Sequence, residues 1–260
     1  MIPIKTDVQV AKMRQACAIA ARVLRQVCNA VQPGVTTYDL DQLAYRCMQE
    51  LGARSACYQY AVGQLKFPAY TCLSINEELV HGIGSKTRQV RAGDIVTVDV
   101  SVVYEGFVGD NAYTVMVPPV QPEVVALVEC TQQALAVGID AARATKRVGH
   151  ISGAIQAFVS ARGFSVVRDF VGHGVGEKMH EEPQIPNFLP YAGYIARTPR
   201  LRPGMTLAIE PMVNMGGPKV TMAADGWTVL TQDGKPCAHF EHTILVTDAE
   251  PEILTLDTGH

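Results

Sequence analysis

Residues 91–117 constrain this 260-residue chain more than any other stretch. β-branched and apolar residues run on either side of Tyr104-Glu105-Gly106, a hairpin pattern. Each arm carries one aspartate where an apolar residue belongs, Asp99 and Asp110. A turn centred on Tyr104-Glu105 sets the two acids directly opposite each other, whereas a turn at Glu105-Gly106 sets them diagonally on the same face. Only an odd-membered loop separates them. Two carboxylates on one face of a sheet repel and are costly to bury unpaired. No Lys or Arg lies in either strand beside these acids. A metal ion is the simplest counter-charge, and the rest of the chain is then expected to supply its other ligands.

The chain is long enough for a large core, and 48% of it is hydrophobic, which fits one domain over residues 1–260. A net charge of -3 with no block of like charges argues against a nucleic acid or membrane surface recognised by bulk charge. The N-terminus has no apolar core of signal-peptide length, and no uncharged run approaches a membrane span; a cytoplasmic protein is expected. Seven cysteines without a Cys-x-x-Cys pair indicate neither a disulfide framework nor a zinc ribbon.

Taken in order, Thr6-x-x-Gln9 is a capping-box pattern opening a helix over residues 6–31, with Met13, Cys17, Ala20, Leu24 and Val27 at helical spacing. A second helix runs from Thr37 to its stop at Gly52, and a third and fourth fit 123–142 and 151–161. Between them, 55–75 mixes short strand and loop. Shifting by 111 residues carries Gly52 onto Gly163, Arg91-x-Gly93 onto Arg202-x-Gly204 and Asp99 onto Glu210. This predicts an internally duplicated α+β domain, with halves of about 1–118 and 119–260. The second half has a strand over 205–210 ending in Glu210 and another over 238–246 containing Glu241, with hairpin-turn dipeptides at Asp225-Gly226 and Asp233-Gly234.

Four strand acids, together with the imidazole of Gly172-His173-Gly174, exceed the needs of one tetrahedral zinc and suit two divalent ions sharing carboxylates. Such a pair serves hydrolysis, acidifying a water and polarising the substrate oxygen. The glycines around His173 miss the dinucleotide fingerprint, and neither Gly-x-Ser-x-Gly nor His-Glu-x-x-His occurs. His242 alternates to the face opposite Glu241, while His239 shares the face of Glu241.

Several runs carry a resemblance: Ser74-Ile-Asn-Glu-Glu-Leu-Val-His81-Gly, Gly109-Asp110, Gly172-His173-Gly-Val-Gly with His180-Glu-Glu-Pro183, Ala208-Ile-Glu210-Pro, Asp225-Gly-Trp227 and Glu241-His-Thr. Over nearly the whole chain they resemble type I methionine aminopeptidases. The resemblance implies the pita-bread fold, a curved antiparallel sheet with helices on its outer face. It also implies removal of the initiator methionine from nascent polypeptides at the ribosome, by a monomer that prefers a small second residue. In this family Asp99 would bind one of two metals (Co, Mn, Fe or Zn), Asp110 and Glu241 would bridge both, and His173 and Glu210 would complete the other. Glu210 would also shuttle the proton. His81 and His180 would contact the scissile amide and the tetrahedral intermediate. Cys57, Tyr60, Phe67, Cys72, Met179 and Trp227 would form the methionine pocket. Three departures from the family pattern touch that pocket: Met179 where Phe is frequent, a longer 57–72 stretch, and His239 where Gln is common. Two rival readings are a proline-specific relative, which would carry a large N-terminal domain, and a non-catalytic pita-bread protein, which would have lost ligands.

Overall fold

The computed structural model describes residues 2–256. Its main sheet is built around the hairpin, in which Ile95–Tyr104 pairs with Phe107–Met116 from Ile95↔Met116 to Tyr104↔Phe107. The turn is Glu105-Gly106, both at positive φ (46° and 83°), as two-residue turns matched to strand twist require. The register is therefore the diagonal one: Asp99 faces Ala112, and Asp110 faces Ser101. Strand alternation then sorts the side chains. Val96, Val98, Val100 and Val102 are buried with residues of α1 (Asp7–Asn29) and α2 (Thr37–Glu50). Thr97, Asp99 and Ser101 face the other way, where the chemistry is.

The helices begin where their caps lie. Thr6 and Gln9 form the expected capping box at α1, and Thr36 with Asp39 forms another at α2. Helix α1 buries Val10, Met13, Cys17, Ala20, Leu24 and Val27, each apolar side chain of Val or Leu size contributing about 1.5–3 kcal/mol by leaving water. Helices α3 (Pro122–Asp140) and α4 (Val148–Ser160) share a second core with Leu207, Ile209 and Ile244. Helix α4 starts three residues before the expected Ile151. His150 Nδ1 accepts the Arg147 N–H at 3.1 Å and closes the first turn without a Ser, Thr, Asp or Asn cap.

Among the described residues the main sheet has nine strands, all antiparallel in their pairings. Its central order is Arg54–Ser55, Ile95–Tyr104, Phe107–Met116, Glu241–Leu245, Thr206–Ile209, Gly172–Gly174 and Glu181–Ile185. One expectation needs correction here, because the strand over 238–246 is interrupted at Phe240. Cys237–His239 pairs with Met212–Asn214 in a separate three-stranded sheet, while Glu241–Leu245 joins the main one. The segment it pairs with breaks at Glu210-Pro211, where proline has no N–H for a ladder. Glu210 and Glu241 thus sit where the backbone crosses from one sheet to another. Asp225-Gly226 joins the paired strands Val220–Met222 and Val229–Thr231, whereas Asp233-Gly234 links strands of different sheets and is a turn but not a hairpin.

The 111-residue offset recurs in the backbone. It carries Thr37–Glu50 onto Val148–Ser160, Arg54–Ser55 onto Ser165–Val166, and the isolated bridge Thr36↔Gln89 onto Arg147↔Arg200.

Candidate active site

The five donors named from sequence lie on, or directly after, five successive strands: Asp99, Asp110, Glu241, Glu210 and His173. All five line one cavity of about 290 Å³. Ligand atoms of Asp110, His173 and Glu241 lie within 4.8 Å of one another. His173 Nε2 is 3.3 Å from Glu210 Oε1 and 4.0 Å from Asp110 Oδ2. Among the described residues no Lys or Arg lines the cavity.

This concentration of acid without a basic partner perturbs every carboxyl group in it. Burial pushes Asp110 up to about 6, against the donated hydrogen bond from Ser101 Oγ at 2.6 Å. Burial, then the charge of Asp110, hold Asp99, Glu210 and Glu241 well above the carboxylate range. Glu241 Oε1 is buried without any hydrogen-bond partner. An orphaned carboxylate oxygen amid mutually repelling acids is what hard or borderline divalent cations satisfy, so the residues present fit a metal centre.

His173 is prepared as a donor by its backbone. Its Nδ1 lies 2.9 Å from the Gly174 carbonyl, which only accepts, so Nδ1 carries the proton and Nε2 keeps its lone pair. The flanking glycines have a steric reason. A Cβ on Gly172 would sit 2.5 Å from the Ala208 oxygen, and one on Gly174 would sit 2.3 Å from the Glu182 oxygen.

The other histidines divide by position. His81 adopts a left-handed φ of 60°, costly for a non-glycine residue and characteristic of functional positions. It lines the cavity and meets Phe170 edge to face at 5.6 Å. Burial and then His180 push it down to about 4. His180 stands at the cavity mouth, its ring 4.5 Å from that of His173, with Nδ1 2.8 Å from the Tyr60 hydroxyl. Desolvation, and then His173, lower it to about 4. His239 is 2% exposed, and neither of its ring nitrogens has a hydrogen-bond partner. Its Nε2 lies 3.7 Å from Glu210 Oε2. His242 faces away and pairs with Thr255 Oγ1 at 2.9 Å.

Cys57, Phe67, Ala69 and Cys72 form a small apolar cluster, against which Tyr60, Ile83, Met179 and Trp227 pack. All six residues expected in the methionine pocket therefore line the cavity that holds the acids. Phe67 meets Trp227 edge to face at 5.3 Å. Within 57–72 the chain forms a hairpin of its own, Ala61–Val62 against Leu65–Lys66. Ser101, Phe170 and Val171 also line the cavity and were missed from sequence. The signal for Ser101 was available, since it lies two positions beyond Asp99 and so shares its face.

The turn bearing Met179 and His180 is tied to the N-terminal segment. Lys5 Nζ bonds Glu181 Oε2 at 2.5 Å, both side chains nearly closed to solvent, and the Lys5 N–H bonds the Gly204 carbonyl at 2.8 Å. Removing one partner of such a pair strands the other charge. Lys5→Met is expected to destabilise the protein by roughly 3 kcal/mol, read from denaturant midpoints. An unchanged midpoint would show that Glu181 finds water instead.

Acids and an imidazole gathered on an antiparallel sheet, beside a pocket of sulfur and aromatic side chains, fit a metallopeptidase. The sequence profile of metallopeptidase family M24 matches residues 11–248, and the chain belongs to that family. The chain is 43% identical over 256 residues to a protein of Clostridium acetobutylicum named methionine aminopeptidase, covering 98% of this chain and 99% of that one. It is 43% identical over 255 residues to methionine aminopeptidase 1 of Bacillus subtilis, with the same coverage. The crystal structure of methionine aminopeptidase from Thermotoga maritima superposes with a TM-score of 0.94 at 43% identity, over 99% of this chain and 100% of that one. A prolidase from Pyrococcus furiosus shares the fold with a TM-score of 0.78 at 20% identity, over 97% of this chain and 65% of the longer prolidase. The fold common to these structures is the pita-bread fold that the sequence resemblance implies.

Proposed function

We infer that this chain is a methionine aminopeptidase that removes the initiator methionine from nascent polypeptides in a metal-dependent hydrolysis. The observation that carries this reading is the placement of five donors on five neighbouring strands, at the floor of a pocket walled by Cys57, Tyr60, Phe67, Cys72, Met179 and Trp227. Sulfur and aromatic walls suit an unbranched thioether. It acts as one catalytic domain with a duplicated scaffold, a monomer working on chains at the ribosome in the cytoplasm.

Two divalent ions, of Co, Mn, Fe or Zn, would be held by Asp99, Asp110, His173, Glu210 and Glu241, with Asp110 and Glu241 shared. When bound, such a pair lowers the pKa of water and polarises the scissile carbonyl. Glu210 takes a proton from the attacking water and delivers it to the leaving amine, a role suited to a carboxyl whose proton affinity is raised by burial. His81 and His180 donate hydrogen bonds to the oxygen on which negative charge develops. Both are held below their ordinary pKa, so near neutral pH each is an uncharged ring with a single N–H.

Substrate choice tests the reading. The residue after methionine must pass close to His81 and the acids, where space is short. Met-Gly, Met-Ala and Met-Ser peptides are expected to be cleaved about a hundredfold faster than Met-Leu or Met-Phe, because a displacement of the scissile carbonyl near 1 Å costs about that much. The pocket itself discriminates near-isosteres by only about 1–3 kcal/mol, so norleucine in place of methionine is accepted. A kcat/KM series decides the point. Equal rates for Met-Gly and Met-Leu would overturn the reading, a preference for proline-containing peptides would favour a prolidase-like enzyme, and absence of metal-dependent turnover would favour a binding protein.

A further inference from the structure

Two neighbouring histidines in this site, with rings 4.5 Å apart, have partners of opposite character on the same ring atom. His173 Nδ1 meets a carbonyl oxygen, that of Gly174, at 2.9 Å. His180 Nδ1 meets a phenolic hydroxyl, that of Tyr60, at 2.8 Å. A carbonyl has no proton to give, so it forces hydrogen onto Nδ1 and leaves Nε2 with a lone pair. A phenol can take either role, but its proton is the more acidic and the imidazole nitrogen the more basic, so the hydroxyl donates. Nδ1 of His180 is then the acceptor, and its single hydrogen lies on Nε2.

We propose that Tyr60 is a positioning residue, whose hydroxyl holds His180 in the tautomer and orientation that present an Nε2–H to the substrate oxygen. The same contact explains why two adjacent imidazoles would do different work. The Gly174 carbonyl makes His173 a lone-pair donor suited to a cation, and Tyr60 makes His180 a hydrogen-bond donor that is no use to one. The proposal rests on the reading of His180 as a donor to the reacting oxygen given above.

Tyr60 is itself anchored for such a task. Its N–H bonds the Cys57 carbonyl at 2.9 Å, and its carbonyl accepts from the Phe67 N–H at 2.9 Å. The start of the same loop is pinned by Ser55, whose Oγ accepts from Cys57 N–H at 3.0 Å and Tyr58 N–H at 2.9 Å and donates to the Tyr70 carbonyl at 2.6 Å. His180 stands at the cavity mouth with Glu181 beside it, fixed by Lys5. The ring is therefore held at its Nδ1 by Tyr60 and through its backbone neighbour by the Lys5–Glu181 pair. Without the phenol, a ring open to solvent on one side would exchange tautomers and swing.

Tyr60→Phe separates this role from that of a pocket wall, since the ring remains and only the hydroxyl is lost. The zinc-loaded protein, labelled with 15N-histidine, gives the tautomer directly, with His180 assigned by its disappearance in His180→Ala. In the parent protein His180 is expected to show a protonated Nε2 and an unprotonated, hydrogen-bonded Nδ1. In Tyr60→Phe a measurable Nδ1–H population appears. On a Met-Gly-Met peptide, kcat falls about tenfold, about 1.4 kcal/mol in the barrier, with KM and zinc content unchanged. An unaltered tautomer, an unchanged kcat, or a rise in KM at constant kcat would each overturn the proposal, the last by making Tyr60 a wall and nothing more. The two readings fail separately. Full activity in His180→Ala would remove the donor role of His180, whereas an unperturbed His180 spectrum in Tyr60→Phe would remove the role of Tyr60.

Discussion

Asp110→Asn is expected to give a folded protein that retains less metal and cleaves Met-Gly peptides at least roughly a hundredfold more slowly. The magnitude follows from a lower bound. Losing a hydrogen-bond partner behind a ligand already costs about 10–100-fold in affinity or rate, and in the proposed centre an amide at position 110 would replace the carboxylate ligand itself. The variant also carries an internal control on folding. Burial raises the carboxyl of Asp110 from its ordinary value to about 6, so the metal-free folded state holds a proton that the unfolded state releases near pH 4. Stability of the metal-free protein therefore falls as pH rises through that window, with the full penalty present above about pH 6. Asparagine has no such penalty. The metal-free variant should match or exceed the parent in thermal midpoint at pH 7.5, and the difference should vanish below about pH 4. Metal content by mass spectrometry, kcat, and the two midpoints together decide the matter. Full activity of the parent after exhaustive chelation, or wild-type metal content in the variant, would sink the assignment of Asp110.

Much of this site could be read from sequence because its chemistry is written in strands. Alternation makes an acid in an apolar strand conspicuous, and Asp99, Asp110, Glu210 and Glu241 all sit in such contexts, with glycines marking the close approach around His173. The capping boxes at Thr6 and Thr36 were legible for the same reason, each being a local pattern within four residues. What escaped depends on how distant segments meet. The register of the hairpin turned on one residue of turn placement, and both turns considered kept the acids on one face. The break at Phe240 falls inside one run read as a strand over 238–246, and only pairing to different sheets separates its two parts. Lys5 and Glu181 lie 176 positions apart, and no periodicity connects them. His239 was placed on the correct face by alternation from Glu241, but its approach to Glu210 depends on the breaks at Pro211 and Phe240 lying side by side.

His180→Ala tests whether the site divides its labour as the geometry implies. His180 lines the same cavity as the acids and touches His173, yet its Nδ1 is engaged by Tyr60. On the reading proposed above, its work is on the developing oxyanion. Removing one such donor costs about 10²–10³ in kcat, because the interaction strengthens only as charge builds on the oxygen and contributes little to the bound substrate. The expected result is a fall of that size in kcat, with KM altered by far less. Metal content and thermal midpoint should stay at the parent values, since the truncated ring supports neither the ligands nor the core. His173→Ala is the counterpart, expected to lower both metal content and rate. If His180→Ala lost metal in step with activity, the two histidines would share one role, and the division drawn from their Nδ1 partners would be wrong.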